Sequence, residues 1–219
     1  EWQHLLANEG VVMVDQQNDR HTLLARHQGN SKTIKPLYWL NRVHLGRIKA
    51  RNREQSFALD LLLDPSIALV TLVGKAGTGK TLLALAAGLH QVADTHQYAR
   101  LLVTRPPISL GKDIGYLPGT LEEKLGPWMK PIIDNIDFIT GASPCDDSET
   151  TKKPRHREPR NAWSDLQGMG LLEVEAINTI RGRSIPHQFL VVDEAQNLTP
   201  LEVKTIVTRV GEGTKIVFT

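Results

Sequence analysis

Eight consecutive residues, Gly74-Lys75-Ala76-Gly77-Thr78-Gly79-Lys80-Thr81, set three glycines, a lysine and a hydroxyl in the spacing G-x-x-x-x-G-K-[ST]. Gly74, Gly77 and Gly79 let the backbone wrap closely around an anion, where a Cβ would collide or forbid the dihedrals. The amides of such a loop, at the positive end of the helix that follows, point at a phosphate. Lys80 is then expected to reach the β- and γ-phosphates of a nucleotide, and the Thr81 hydroxyl to ligate Mg²⁺. Lys75, Ala76 and Thr78 complete the cradle. A Gly-rich strand-to-helix turn without a ligand is the bland alternative.

A second constellation lies more than a hundred residues downstream. Phe189-Leu190-Val191-Val192 is an apolar run ending in Asp193-Glu194-Ala195-Gln196. Asp193 at a strand tip is suited to hold Mg²⁺ opposite Thr81, usually through a water. Glu194 is then placed to polarise an attacking water as general base. That second acid favours hydrolysis over phosphoryl transfer to a small acceptor, because a kinase must exclude activated water. Gln196 is a candidate γ-phosphate sensor, against the reading of a surface helix-cap residue.

These groups need a scaffold that brings them together. From Gln55 onward the chain alternates helix-like and strand-like runs. Gln55–Leu63 has apolar residues at helical spacing and stops at Asp64-Pro65. Ile67–Val73 reads as a strand buried on both faces, Lys80–Gln91 as a Leu/Ala-rich helix, and Arg100–Thr104 as a second buried strand. Leu121–Ile139 reads as helical segments interrupted by Pro127 and Pro131. Leu171–Ile177, Phe189–Val192 and Lys215–Thr219 read as strands, and Pro200–Val210 as a helix. The alternation predicts a three-layer α/β sandwich with a mainly parallel sheet.

Residues 1–50 follow a different rhythm. Val11–Asp15, His21–Arg26 and Thr33–Leu37 are short β-like runs separated by polar turns, a small β-meander. The expected division is a β-rich module over 1–50 and the α/β domain over 51–219. Residues 143–160 are almost without apolar side chains and read as a flexible insertion, whose basic run Lys152–Arg160 reads as a solvated loop.

Composition narrows the function classes. Twenty-six Lys and Arg against 24 Asp and Glu give a net charge of +2, which argues against bulk charge-driven binding of nucleic acid and leaves room for a local patch. One cysteine, Cys145, excludes an internal disulfide framework. The eight histidines show no ligand spacing, so no histidine metal site is expected. The apolar runs fall well short of the roughly 18 residues of a membrane span, and a soluble, cytoplasmic chain is expected.

The pairing of the Gly74–Thr81 loop with Val192-Asp193-Glu194-Ala195-Gln196-Asn197 resembles the superfamily-one helicase core, and more specifically the PhoH family of P-loop ATPases. Further stretches carry the likeness: Arg105-Pro106-Pro107, Gly115-Tyr116-Leu117-Pro118-Gly119, Pro127-Trp128-Met129-Lys130-Pro131, Ile180-Arg181-Gly182-Arg183-Ser184, and Asn197 to Thr205. The resemblance covers Arg51 to Thr219. It implies a RecA-like ATPase using ATP and Mg²⁺, coupled to remodelling or unwinding of single-stranded RNA and assembled as a homo-oligomeric ring. Some members carry an upstream PIN-type nuclease domain, and the β-meander looks like the connector to it. Glu1, Glu9, Asp15 and Asp19 are too scattered to form that nuclease themselves. The family places a Gly-Asp-Pro-x-Gln motif directly after the strand that here ends at Thr219, and the chain has no initiator Met. A piece of a longer protein is therefore expected.

Six weaker candidates remain, and the likeness implies roles for the first three, Gln55, Thr104 and Arg105. A glutamine placed like Gln55 contacts adenine, whose edge suits the donor and acceptor of an amide. Thr104 and Arg105, at the carboxyl end of a parallel strand, are candidates for a nucleic-acid backbone. Arg181 and Arg183 are candidates for phosphate or for a neighbouring subunit's γ-phosphate, against a reading as structural ion pairs. Trp128, between two prolines, reads as core or interface rather than a base-stacking platform. Beside the ATPase reading stand a nucleotide-gated RNA-binding module without efficient turnover and, less favoured, a P-loop kinase.

Overall fold

A computed structural model describes residues 4–29, 33–39, 42–43, 45–106, 121–141, 162–177, 180 and 183–219, with side chains of residues 121–128 left aside. Five parallel strands form the main sheet: β4 (Leu69–Thr71), β5 (Arg100–Arg105), β6 (Leu172–Ala176), β7 (Gln188–Val192) and β8 (Lys215–Phe218), in the order β4-β8-β7-β5-β6. Three antiparallel strands, β1 (Gly10–Val14), β2 (Thr22–Gln28) and β3 (Thr33–Pro36), form a separate small sheet. The expected meander is there. Leu45 and Ile48, which follow it, bury themselves in the main core.

The strands are central because their side chains are apolar on both faces. Val70, Leu101, Val103, Phe189, Val191 and Val217 face a layer made by α1 (Arg53–Leu63), α2 (Lys80–Leu89), α3 (Leu121–Thr140) and α4 (Ala162–Gly168). Leu102, Leu190, Val192, Ile216 and Phe218 face the opposite layer, where α5 (Pro200–Val207) contributes Ile206. The result is the three-layer RecA-like sandwich. Small residues let α2 lie close to the sheet: a Cβ at Gly88 would come within 2.8 Å of Leu101 and 2.9 Å of Phe189.

Two expectations need correction. The run Ile67–Val73 is not buried on both faces. Only Leu69–Thr71 pairs, at the sheet edge beside β8, with Val70 buried and Leu69 and Thr71 exposed. Pro127 and Pro131 do not interrupt α3, which runs unbroken from Leu121 to Thr140. Its stripe Met129, Ile132, Ile136 and Ile139 is buried while Pro131 faces outward, so packing outweighs the lost amide bond. Helix α4 was not foreseen; its seven residues bury only Leu166. The insertion expected at 143–160 lies outside the described residues, as do Cys145 and Arg181. No helix among the described residues is long and apolar enough to cross a membrane.

Buried charges tie the small sheet to the large one. Arg26 of β2 pairs with Asp60 of α1 at 3.2 Å and with Asp64, the residue that caps its C-terminus. Lys215, at the start of β8 and fully buried, donates to the carbonyls of Leu61 at 2.9 Å and Asp64 at 2.7 Å, two of the carbonyls that a helix end leaves unpaired. Burial raises the Asp60 carboxyl above its ordinary value. Burial also pushes the Lys215 ammonium down to about 7, although Asp64 opposes the shift. Between about pH 7 and the ordinary lysine value of 10.5, the unfolded chain therefore holds more protons at this position than the folded chain. Stability contributed here rises with pH across that window, by as much as about 1.4 kcal/mol per pH unit, and below it the burial cost is present in full. Urea midpoints at pH 7 and 9 should show that rise, and Lys215→Met should flatten it. Equal slopes in the two proteins would refute the assignment.

Candidate nucleotide site

The loop between β4 and α2 adopts the conformation that its glycines permit. Gly77 and Gly79 have φ of 76° and 84°, in the left-handed region where a Cβ is strained. Gly74 has no such φ, and a Cβ there would only touch the Thr78 hydroxyl at 3.4 Å, so its freedom is not demanded by the loop itself. Thr78 Oγ1 donates to the Lys75 carbonyl at 2.8 Å and closes the turn. No side chain caps the N-terminus of α2, which leaves its first-turn amides facing the loop's concavity. Lys80 Nζ lies within that concavity, donating to the carbonyls of Gly74 and Lys75 at 3.0 Å each.

Gln55 belongs to the same cluster. Asn52 caps α1, and one turn on the Gln55 amide spans two segments: Oε1 accepts from Arg51 N at 2.7 Å, and Nε2 donates to the Thr78 carbonyl at 3.1 Å. The sequence separation between Gln55 and the loop is thus bridged in space.

The acidic strand tip meets this loop although β8 lies between β4 and β7. Thr81 Oγ1 donates to Asp193 Oδ1 at 2.6 Å, and Thr219 Oγ1 donates to the same oxygen at 2.9 Å. Asp193 is buried. Glu194 follows with φ 53°, an uncommon conformation for a side chain larger than asparagine, held by the Ala195 amide bonded to the Thr219 carbonyl at 2.9 Å. Gln196 Nε2 donates to Glu194 Oε2. Arg105, at the end of β5, is buried with Nε 3.6 Å from Asp193 Oδ2 and Nη2 3.4 Å from Glu194 Oε1. A capping box on α5, Thr199 with Glu202, starts the next helix immediately beyond the cluster.

Lys80, Thr81, Gln55, Asp193, Glu194 and Gln196 are therefore gathered at one end of the sheet, the carboxyl end, where ligands bind in open α/β folds. Three other candidates lie differently. Thr104 is fully buried, so it does not present itself to a nucleic-acid backbone; its carbonyl instead accepts the Asp193 amide at 2.9 Å. Arg105 faces the acidic pair. Arg183 pairs with Glu175 at 2.8 Å and Glu173 at 3.6 Å on β6, the sheet edge opposite β4. Thr219 escaped the sequence reading. Its signal was a hydroxyl ending the apolar run Ile216-Val217-Phe218, at the carboxyl end of a strand paired with the one that leads to Asp193.

The donor set suits magnesium. Thr81 and Asp193 offer hard oxygens within hydrogen-bond distance of each other, and Mg²⁺ commonly takes one or two carboxylates, with phosphates and waters filling the rest. Among the described residues no group of three or more His, Cys, Asp or Glu forms a cage that would hold a metal without the nucleotide.

Known proteins are similar to this chain in sequence. Protein PhoH2 of Bacillus subtilis (strain 168) is 56% identical over 174 residues, covering 80% of this chain and 36% of that protein. Protein PhoH2 of Mycolicibacterium smegmatis is 40% identical over 173 residues, 78% of this chain and 36% of its own length. A PhoH-like protein of Mycobacterium tuberculosis (strain ATCC 25618 / H37Rv) is 37% identical over 147 residues, 67% of this chain and 36% of that protein. The chain spans about a third of the length of these curated relatives. Residues 47–219 match the family described as PhoH-like protein, and with its loop, acidic strand tip and parallel sheet in place the chain belongs to the PhoH family of P-loop nucleoside triphosphatases.

Proposed function

We propose that this domain binds Mg-ATP and hydrolyses it, and that turnover is coupled to remodelling of single-stranded RNA. The observation that supports the catalytic part best is the 2.6 Å bond from Thr81 to Asp193, which joins the phosphate loop to the acidic strand tip. Thr81 and Asp193 would hold Mg²⁺, which neutralises β- and γ-phosphate charge when bound. The α2 amides and the Gly77–Gly79 backbone cradle the phosphates. Lys80 leaves the loop carbonyls for the γ-phosphate, where its charge meets the charge developing in the transition state. Glu194 takes the proton of the attacking water, and Gln55 recognises adenine beside the loop.

The RNA part draws on the family likeness, and so do a ring-shaped oligomer and an upstream PIN-type nuclease domain in the whole protein. A nucleotide-gated binding module is the competing reading, favoured by the engagement of Glu194 with Arg105 and Gln196. Phosphate release separates the two. The ATPase reading expects Mg²⁺-dependent release that single-stranded RNA stimulates by about tenfold, the scale of a typical coupling between two sites. Tight ATP binding with no release, with or without RNA, would favour the module. Release that RNA leaves unchanged, without RNA retention in the ATP-bound state, would remove the RNA part alone.

A further inference from the structure

Arg105, at the end of β5, is buried beside the acidic strand tip. In the sheet β5 is paired to β7, with Thr104 opposite Val192, so the next residue of each strand emerges side by side. The Arg105 guanidinium is buried against two carboxylates from consecutive residues, 3.6 Å from Asp193 Oδ2 and 3.4 Å from Glu194 Oε1. The other oxygens of that pair are already engaged. Asp193 Oδ1 accepts from Thr81 and Thr219, and Glu194 Oε2 accepts from Gln196.

Asp193 is buried and Glu194 beside it is half-exposed, and a buried carboxylate needs a compensating cation, since unpaired buried charge is strongly unfavourable. Arg105 supplies it in this structure. A divalent cation bound at Thr81 and Asp193 brings a second positive charge to the same carboxylate, and the two cations repel each other across a short, poorly solvated gap. A general base, for its part, needs a lone pair directed at water. On Glu194 the oxygen facing Arg105 is the one whose release would expose such a pair.

From this geometry we infer that Arg105 is the resident counter-cation of the Asp193–Glu194 pair, exchanged for Mg²⁺ when nucleotide arrives, so that metal entry and release of Glu194 are one event. Arg105 acts through Glu194 and is a positioning residue rather than a catalytic one. The inference rests on the ATPase reading of the site and adds to it an order: nucleotide without metal leaves Glu194 engaged.

The test is a Mg²⁺ titration of the 219-residue chain with a fluorescent, non-hydrolysable ATP analogue, read by analogue binding rather than turnover. Arg105→Met removes the competing charge, and the Mg²⁺ midpoint should fall by about tenfold, within the usual range of coupling between sites. Arg105→Lys keeps the charge and should stay near the wild-type midpoint. Should the methionine variant not fold, Arg105→Gln serves as the uncharged variant. A merely structural ion pair would lower the melting temperature but leave the midpoint unchanged, and that result, or a higher midpoint, overturns the inference while the ATPase reading stands. If the wild-type chain does not bind the analogue with Mg²⁺ at all, the ATPase reading falls, and this inference with it.

Discussion

Lys80→Ala should cost about 10²-fold or more in ATP turnover while leaving the domain folded. The first half of that expectation follows from where the ammonium lies. Its two bonds, to the carbonyls of Gly74 and Lys75 at 3.0 Å, keep it inside the concavity that the loop and α2 form. A cation preorganised at the position where phosphate charge develops acts like an oxyanion-hole donor, whose loss costs about 10² to 10³ in rate. The second half follows from exposure. Lys80 is only partly buried and packs in neither core cluster, so alanine leaves no cavity. Binding of a labelled ATP analogue should weaken by about tenfold or more, the scale of a lost hydrogen bond to a charged group. Thermal unfolding should hardly change. Analogue binding equal to wild type would defeat the proposed nucleotide site at its centre.

Glu194→Gln separates binding from chemistry. The amide is isosteric with the carboxylate, can still accept from Arg105 through its carbonyl oxygen, and retains the left-handed turn that sets the side chain's direction. It cannot take a proton from water. Turnover should fall by about 10² to 10⁴, the usual contribution of a general base, with the analogue still bound in the presence of Mg²⁺. Comparing kcat with the analogue's Kd distinguishes this from damage to the phosphate loop, which would weaken both. Should Glu194→Gln hydrolyse ATP at the wild-type rate, Glu194 is not the base and the water must be activated elsewhere.

The parts of the site that read correctly from sequence are those whose chemistry is local. A loop that wraps an anion needs glycine at left-handed positions, and Gly77 and Gly79 adopt them. A helix starting at Lys80 follows from the Leu/Ala run after it. A strand filled on both faces must be a continuous apolar run, and Phe189 to Val192 are all fully buried. The edge strand defeated the same rule. Ile67–Val73 is as apolar as a central strand, but its exposure depends on whether a neighbour covers each side, and β4 has only β8 beside it among the described residues. α3 failed for the opposite reason: two prolines weaken a helix locally, whereas its buried stripe is a property of the assembled core.

Arg105 and Lys215 show the same division in the charged residues. In sequence one ends a strand after Thr104 and the other begins a strand before Ile216, and neither position reveals a partner. Arg105 finds Asp193 and Glu194 because β5 lies beside β7, 89 residues later for the Glu194 contact. Lys215 finds the carbonyls of Leu61 and Asp64 across 154 and 151 residues.

By itself, then, the sequence determined the glycine-bearing loop, the acidic strand tip and the alternating α/β order. Each is encoded in residues at most a few positions apart, where backbone sterics and hydrophobic period decide the outcome. Only the tertiary structure decided that Thr81 and Thr219 share one oxygen of Asp193, that Arg105 guards the other side of the pair, and that Arg26 and Lys215 lock α1 between two sheets. Those contacts depend on strand order, and strand order is set by how the whole core packs.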